Sequence, residues 1–338
     1  EEHGRGEGFA RCNLYLDGAC LSSGLPQWTP GYHFLLASVF KAAGTSESVA
    51  YDFNACLGAL SVVVIFLIIY LLTGSEAVSL VFALLVALTP LHLKFSGNSS
   101  PDMASFFFTA LNFLSLLIFL KFQSGKSFFQ FIAVTAFTLL VRPENGLILP
   151  VFAVWLTLTK VERTYYGRLR DLGILFVPYA LFLLAVEGYQ VRRWLEQNAH
   201  VPVWDAVREN MAFWLTSPAV PVLGIFLAIV GGFYALKKNK PAFWCSCGYF
   251  FAYLFLYSAL GRITAGDSQR LNLHFYLPVL LLASIGFFGV CGRAGSSLKV
   301  KQLIFGVLAC ALVLNCAVNF FYVFVEIFCP VFQEEYGV

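Results

Sequence analysis

Long apolar runs alternate with short polar turns along most of the chain. A helix needs about 20 largely apolar residues to cross a bilayer. On that measure the pattern predicts ten spans: Val49–Leu72, Ala77–Leu93, Met103–Phe122, Phe128–Val141, Gly146–Thr159, Leu172–Tyr189, Pro218–Leu236, Pro241–Leu260, Leu273–Cys291 and Gln302–Val325. Phe128–Val141 and Gly146–Thr159 are short and flank Arg142-Pro143-Glu144-Asn145, so they also read as one kinked pair near the surface. The expected fold is all-α, a polytopic transmembrane helical bundle. Three regions are expected: a first outside loop over 1–48, the membrane domain over 49–326 and a tail over 327–338.

Residues 1–48 form the longest polar region. Within it Gly31–Ala43 is apolar but too short to span, and Gly44 ends it. It reads as a helix lying at the membrane interface, with Trp28 and Tyr32 as anchors.

A polar hinge, Lys94–Asp102, separates the second and third spans. Ser100 suits the N-cap, Pro101 the first helical position, and Asp102 the first turn, where the helix dipole favours negative charge. Acids fixed at the mouth of a membrane helix usually have a use. The plain alternative is that Asp102 only caps its helix.

Composition sharpens the class. The chain is 59% hydrophobic and 12% charged, with 36 Phe, whereas soluble domains are about 25% charged. A net charge of +3 with no basic tract gives no reason to expect nucleic acid. The chain begins Glu1-Glu2-His3 without Met, so a first span is expected to be missing. The nine cysteines show no zinc spacing and the five histidines are scattered, so no metal is expected. Cys245 and Cys247 read as small core residues. Cys12 and Cys20 share a polar segment and would pair in an oxidising compartment. Asn98-Ser99-Ser100 matches a glycosylation acceptor pattern by chance, because it lies against the membrane.

Charge sets the expected orientation. With the first polar region outside, the inside loops collect Lys121, Lys126, Lys160, Arg163, Arg168, Arg170, Lys237, Lys238, Lys240, Arg293, Lys299 and Lys301. They hold only Glu76, Glu162 and Asp171 as acids, as the positive-inside rule requires. The outer face then receives the first region, the Lys94–Asp102 hinge, Arg142–Asn145, Gln190–Ser217 and Gly261–Asn272. Asp205, Arg208 and Glu209 lie there with Trp194, Trp204 and Trp214, which read first as interface anchors.

Several stretches in this order carry a resemblance. They are the acidic pair Glu1-Glu2, the entry Pro26-Gln-Trp-Thr-Pro-Gly-Tyr-His-Phe-Leu-Leu-Ala37, the hinge ending Ser100-Pro101-Asp102, and Leu140-Val-Arg-Pro-Glu144. A late outside loop, Asp267-Ser-Gln-Arg-Leu-Asn-Leu-His-Phe-Tyr-Leu-Pro278, adds to them. In these the chain resembles the GT-C membrane glycosyltransferases, similar to the protein O-mannosyltransferases and the aminoarabinose transferases of lipid A. The resemblance implies a sugar carried on a polyprenyl phosphate, with the lipid tail lying against the helices. It implies inversion at the anomeric carbon, an acid in the first outside loop as general base, and Arg or Lys on the leaving phosphate. Two departures stand out: Glu1-Glu2 occupy the place of the family's usual Asp, and Thr29 precedes Pro30 where some members carry Lys.

The chemistry needs a base on the acceptor hydroxyl and positive charge on the departing phosphate. Glu2, or Glu1 beside it, is the expected base, and Asp102 the second acid. The plain reading of Glu1-Glu2 is a solvated pair at a terminus. Arg270 is first choice for the phosphate, because its planar fork matches phosphate oxygens. Lys94 and Arg142 are further phosphate candidates. Their plain readings are snorkelling for Lys94 and a structural pair with Glu144 for Arg142. Glu144, Arg262, Asp267, His274 and Tyr32 are the expected substrate-binding residues.

The expected function is transfer of a monosaccharide from a polyprenyl-phosphate donor to a lipid, glycan or protein acceptor on the non-cytoplasmic face. No cofactor is expected beyond the donor itself. Two alternatives stand beside it. One is a transporter or flippase, which would need broken or polar helices and often a repeat, and no repeat is found. The other is an inactive relative that binds polyprenyl lipid.

Overall fold

A computed structural model describes residues 12–16, 19–23, 30–142, 145–146, 148–149, 151–152, 155, 202–216, 222–259, 272–293 and 297–328. Helices dominate. α1 is Pro30–Ala43, α2 Glu47–Thr73, α3 Glu76–Leu88, α4 Pro90–Ser96, α5 Pro101–Phe122 and α6 Gly125–Val141. α7 is Val203–Thr216, α8 Val222–Lys238, α9 Lys240–Ala259, α10 Asn272–Arg293 and α11 Leu298–Phe328. One addition to the all-helical pattern is a small antiparallel hairpin, β1 (Cys12–Leu16) with β2 (Ala19–Ser23). Its register sets Cys20 against Tyr15 and Cys12 against Ser23, so Cys12 and Cys20 are not opposite one another.

Local chemistry fixes the helix ends. The Ser46 hydroxyl accepts the Val49 N–H at the start of α2, and Gly74 ends it at φ 68, a left-handed conformation that glycine adopts without strain. Ser75 caps α3 in the same way. Ser124 and Ser127 form a reciprocal capping box at the start of α6. These small polar pairs satisfy the end groups that a long apolar helix leaves open.

The expected Ala77–Leu93 span is broken. α3 and α4 meet at Thr89-Pro90 with a bend of 61°. Pro90 lacks an N–H and its ring crowds the preceding turn. The Thr89 hydroxyl donates to Leu85 O at 2.7 Å and bonds the Tyr276 hydroxyl, so the break is stitched to α10.

Among the described residues, four helices are long and apolar enough to cross a membrane, or five if the bent pair is one span. They are α2, α5, α10 and α11. The expected ten is not reached among these residues. α6 has 17 residues, about 26 Å at 1.5 Å per residue, short of a ~30 Å hydrocarbon core. The expected Leu172–Tyr189 span lies outside the described residues.

α2 packs on α3 and α5, α5 on α6, and α10 on α8 and α9. α1 lies across α2 and α6. Phe113 meets Phe152 edge-on, and Phe119 stacks on Phe131, the offset and edge contacts that ring quadrupoles favour. Outward faces remain apolar, with Leu60, Val63 and Leu67 on α2 and Leu303, Val307 and Leu314 on α11. Their natural surroundings are lipid tails.

Candidate functional site

The site is built where the ends of α1, α2, α5, α6 and α10 meet. α6 stops at Val141 because Arg142 precedes a proline, which disfavours helical conformation; Arg142 is extended at φ −151, ψ 138. α5 starts at Pro101, and Asp102 falls in its first turn. Arg142 Nη1 donates to Asp102 Oδ1 at 2.6 Å, with each side chain only 1% exposed. The expected structural partner of Arg142 was Glu144, which lies outside the described residues; the pairing found here reaches 40 residues back along the chain. Removing one member of a buried pair strands a charge and costs about 3–5 kcal/mol.

A second device holds the hinge. Asn54 is fully buried on α2. Its amide nitrogen donates to Asn98 O at 2.6 Å, Ser100 O at 2.8 Å and the Tyr32 hydroxyl at 3.2 Å. The Tyr32 hydroxyl in turn donates to Ser99 O at 2.7 Å. Three consecutive backbone carbonyls of the hinge are thus held by two side chains from other helices. Ser100 occupies the cap position, as expected, but its hydroxyl makes no cap bond. It donates instead to Asn98 Oδ1 at 2.7 Å, and the Ser100 N–H does so at 3.0 Å, the local turn that Asn side chains make.

Tyr32 brings α1 to this cluster. Burial pushes its phenol pKa up to about 12; the Asn54 hydrogen bond works against the rise, and the Asp102 charge adds to it. The Asp102 effect means that α1 and the buried carboxylate share one electrostatic neighbourhood.

Deeper along α5 lies a second polar layer. Ser105 Oγ donates to Asn145 Oδ1 at 2.9 Å and lies 3.4 Å from His274 Nε2. Thr109 and Tyr253 hydroxyls approach the same Asn145 oxygen at 3.4 and 3.5 Å. Asn145 Nδ2 donates to Thr138 O at 2.9 Å. The Tyr253 ring stacks on His274 at 5.0 Å. All of these side chains are buried, so their mutual bonds replace those that water would supply.

Of the residues expected from sequence, Tyr32, Asp102 and Arg142 come together, and His274 joins through Ser105. Lys94 is exposed on α4, whereas its helix neighbours Leu91, His92 and Phe95 are buried. Glu1, Glu2, Glu144, Arg262, Asp267 and Arg270 lie outside the described residues. Asn54, Ser105, Thr109, Asn145 and Tyr253 were not anticipated. A signal existed for part of this set: Asp102, Ser105, Thr109 and Asn112 recur at three- and four-residue spacing, one face of a helix. Among the described residues no group of three or more His, Cys, Asp or Glu is placed to hold a metal ion.

Residues 27–186 match the family model of the dolichyl-phosphate-mannose-protein mannosyltransferases. The matched segment is just under half of the chain and contains α1 to α6 entire, with the hinge, Asn54 and the Asp102–Arg142 pair. The chain is therefore similar to the GT-C membrane glycosyltransferases, and the apolar helices agree with a membrane protein. No curated protein matches the chain.

Proposed function

We propose that the chain moves a monosaccharide from a polyprenyl-phosphate donor to a lipid, glycan or protein acceptor on the non-cytoplasmic face of a membrane. The observation carrying this reading is the position of the buried Asp102–Arg142 pair. It lies inside the segment that matches the family, near α1, at one end of the bundle.

In this reading the acceptor hydroxyl attacks the anomeric carbon from the face opposite the phosphate. The new C–O bond forms as the bond to the phosphate oxygen breaks. The acceptor proton passes to Glu2, or to Glu1 beside it, and the polyprenyl phosphate leaves with its electron pair. Asp102 is already bonded to a guanidinium, which suits it to hold Arg142 in place rather than to take that proton. Arg142, held by Asp102, is assigned to the phosphate alongside Arg270 and Lys94. Glu144, Arg262, Asp267, His274 and Tyr32 are assigned to the sugar and acceptor.

The test is purified protein with a polyprenyl-phosphate-linked sugar and membrane-extracted acceptors, read as released polyprenyl phosphate and labelled product. Wild type is expected to turn over, with Glu2→Gln and Arg270→Ala each slower by about 100-fold or more, the usual span for a lost general base or charge stabiliser. Unchanged turnover in both variants would overturn the site assignment. Donor binding without turnover in wild type would instead favour a non-catalytic lipid-binding protein.

A further inference from the structure

α8 and α10 run side by side in the same direction, in very close contact. A Cβ on Gly231 would collide with Leu282 O, and one on Gly286 with Leu227 O. Past this contact, toward the C-terminal ends of both helices, a cleft of ≈ 210 Å³ opens between them. Gly286 and Gly289 face it from α10, with Phe233, Tyr234 and Lys237 from α8. The space exists because Gly289 carries no side chain: a Cβ there would stand 3.0–3.2 Å from the Tyr234 ring.

Two features define what fits. The lining is apolar apart from the Tyr234 tip and Lys237, and Phe233 is largely exposed beside it, so the cleft is open to lipid. Its volume is below the roughly 300–1,000 Å³ that encloses a whole small ligand, which suits a length of acyl chain whose remainder stays in the bilayer. The cleft ends at a cationic rim. Lys237 lines the cleft itself, Lys238 follows it at the end of α8, and Lys240 opens α9. None of α8, α9 and α10 contains an Asp or Glu. The rim lies far from the Asp102–Arg142 cluster: His274 to Gly289 along α10 is about 22 Å at 1.5 Å per residue.

We propose that this cleft binds an anionic glycerophospholipid, with an acyl chain over Gly286 and Gly289 and the headgroup phosphate held by Lys237 and Lys238. Apolar groove and clustered cations meet at one mouth, as such a lipid requires. The site is independent of the transferase reading, because it lies at the other end of the bundle.

The experiment uses the full chain reconstituted in nanodiscs of mixed phosphatidylglycerol and phosphatidylcholine, then released into detergent for native mass spectrometry. Wild type is expected to retain phosphatidylglycerol in preference to phosphatidylcholine. Lys237→Glu, at an exposed position, is expected to lower that retention by at least about fivefold. Gly289→Leu, which fills the cleft, is expected to lower it similarly. Equal retention of the two lipids by wild type would overturn the proposal. Unchanged retention in Lys237→Glu would do so alone, since that change leaves the packing intact. Loss in Lys237→Glu with full retention in a folded Gly289→Leu protein would reduce the site to a surface charge effect and overturn the acyl-chain assignment.

Discussion

Gly31 sits so close to Leu140 that a Cβ on it would lie 2.5 Å from the Leu140 carbonyl oxygen. The obstructing atoms are backbone, two residues before Arg142, so nothing can rotate away. This contact seats α1 over the end of α6 and lets Tyr32 reach the hinge. Gly31→Ala is therefore expected to lift α1, at the roughly 1–3 kcal/mol typical of overpacking. A fall in the thermal midpoint of the detergent-solubilised protein, with faster proteolysis at α1, checks it. An unchanged midpoint would mean that α1 is not seated on Leu140.

The Asp102–Arg142 pair predicts an asymmetric mutational pattern. Asp102→Asn or Arg142→Met leaves one buried charge uncompensated and is expected to destabilise by about 3–5 kcal/mol. The double change Asp102→Leu with Arg142→Met removes both charges and is expected to recover most of that loss. If the pair also serves the proposed transfer, the double variant will be stable and inactive. Equal destabilisation of single and double variants would show that the charges are not coupled.

Asn54 predicts a positioning effect. Asn54→Leu keeps the branched outline of the side chain but removes the donor to the Asn98 and Ser100 carbonyls and the Tyr32 hydroxyl. Buried acceptors left without a donor cost about 1–3 kcal/mol. In the proposed reaction the expected signature is a lower kcat with little change in donor affinity, because the hinge carries Asp102 rather than the substrate. A purely structural Asn54 would lower yield and thermal midpoint while leaving kcat of the folded fraction intact.

Tyr32 supplies a pH dependence with a definite sign. Its phenol loses a proton at about 12 in the folded protein, against about 10 in an unfolded chain. The folded state holds this proton more tightly, so its stabilising contribution is complete below pH 10. It is lost as pH rises from 10 toward 12. Thermal midpoints of wild type and Tyr32→Phe should differ most below pH 10, wild type being higher, and converge above it. Comparing the two proteins cancels the other tyrosines. A pH-independent difference would contradict the assignment.

What could be read from the sequence follows from how each feature is encoded. Continuous apolar runs foretold α2 and α5 nearly to their ends, and Gly44 with the short run before it foretold α1. Pro101 and Asp102 stand where helix-start chemistry put them. The break at Thr89-Pro90 was signalled by the proline alone, and averaging hydropathy over a span hides one residue. Asn54 and Asn145 are single polar residues within or beside apolar stretches. They acquire meaning through partners 22 to 46 residues away in one case and, beyond nearby Thr138, 36 to 108 in the other. The Arg142–Asp102 pairing is of the same long-range kind, and local spacing pointed to Glu144 instead.

Adjacent glycines on α8 allow a prediction with an internal control. Gly231 and Gly232 are both buried, and in an open helix each change to Ala would be favourable by roughly 0.5–1 kcal/mol. Their surroundings differ. A Cβ on Gly231 runs into the backbone of Leu282 and Gly286, whereas one on Gly232 meets only the Phe243 ring, at 3.6 Å. The first contact admits no relaxation short of moving α8 off α10; the second is ordinary van der Waals distance. Gly231→Ala is expected to lower the thermal midpoint, overpacking of about 1–3 kcal/mol outweighing the propensity gain. Gly232→Ala is expected to leave it level or raise it. If both variants behaved alike, the close parallel packing of α8 and α10 would not be what holds that side of the bundle together.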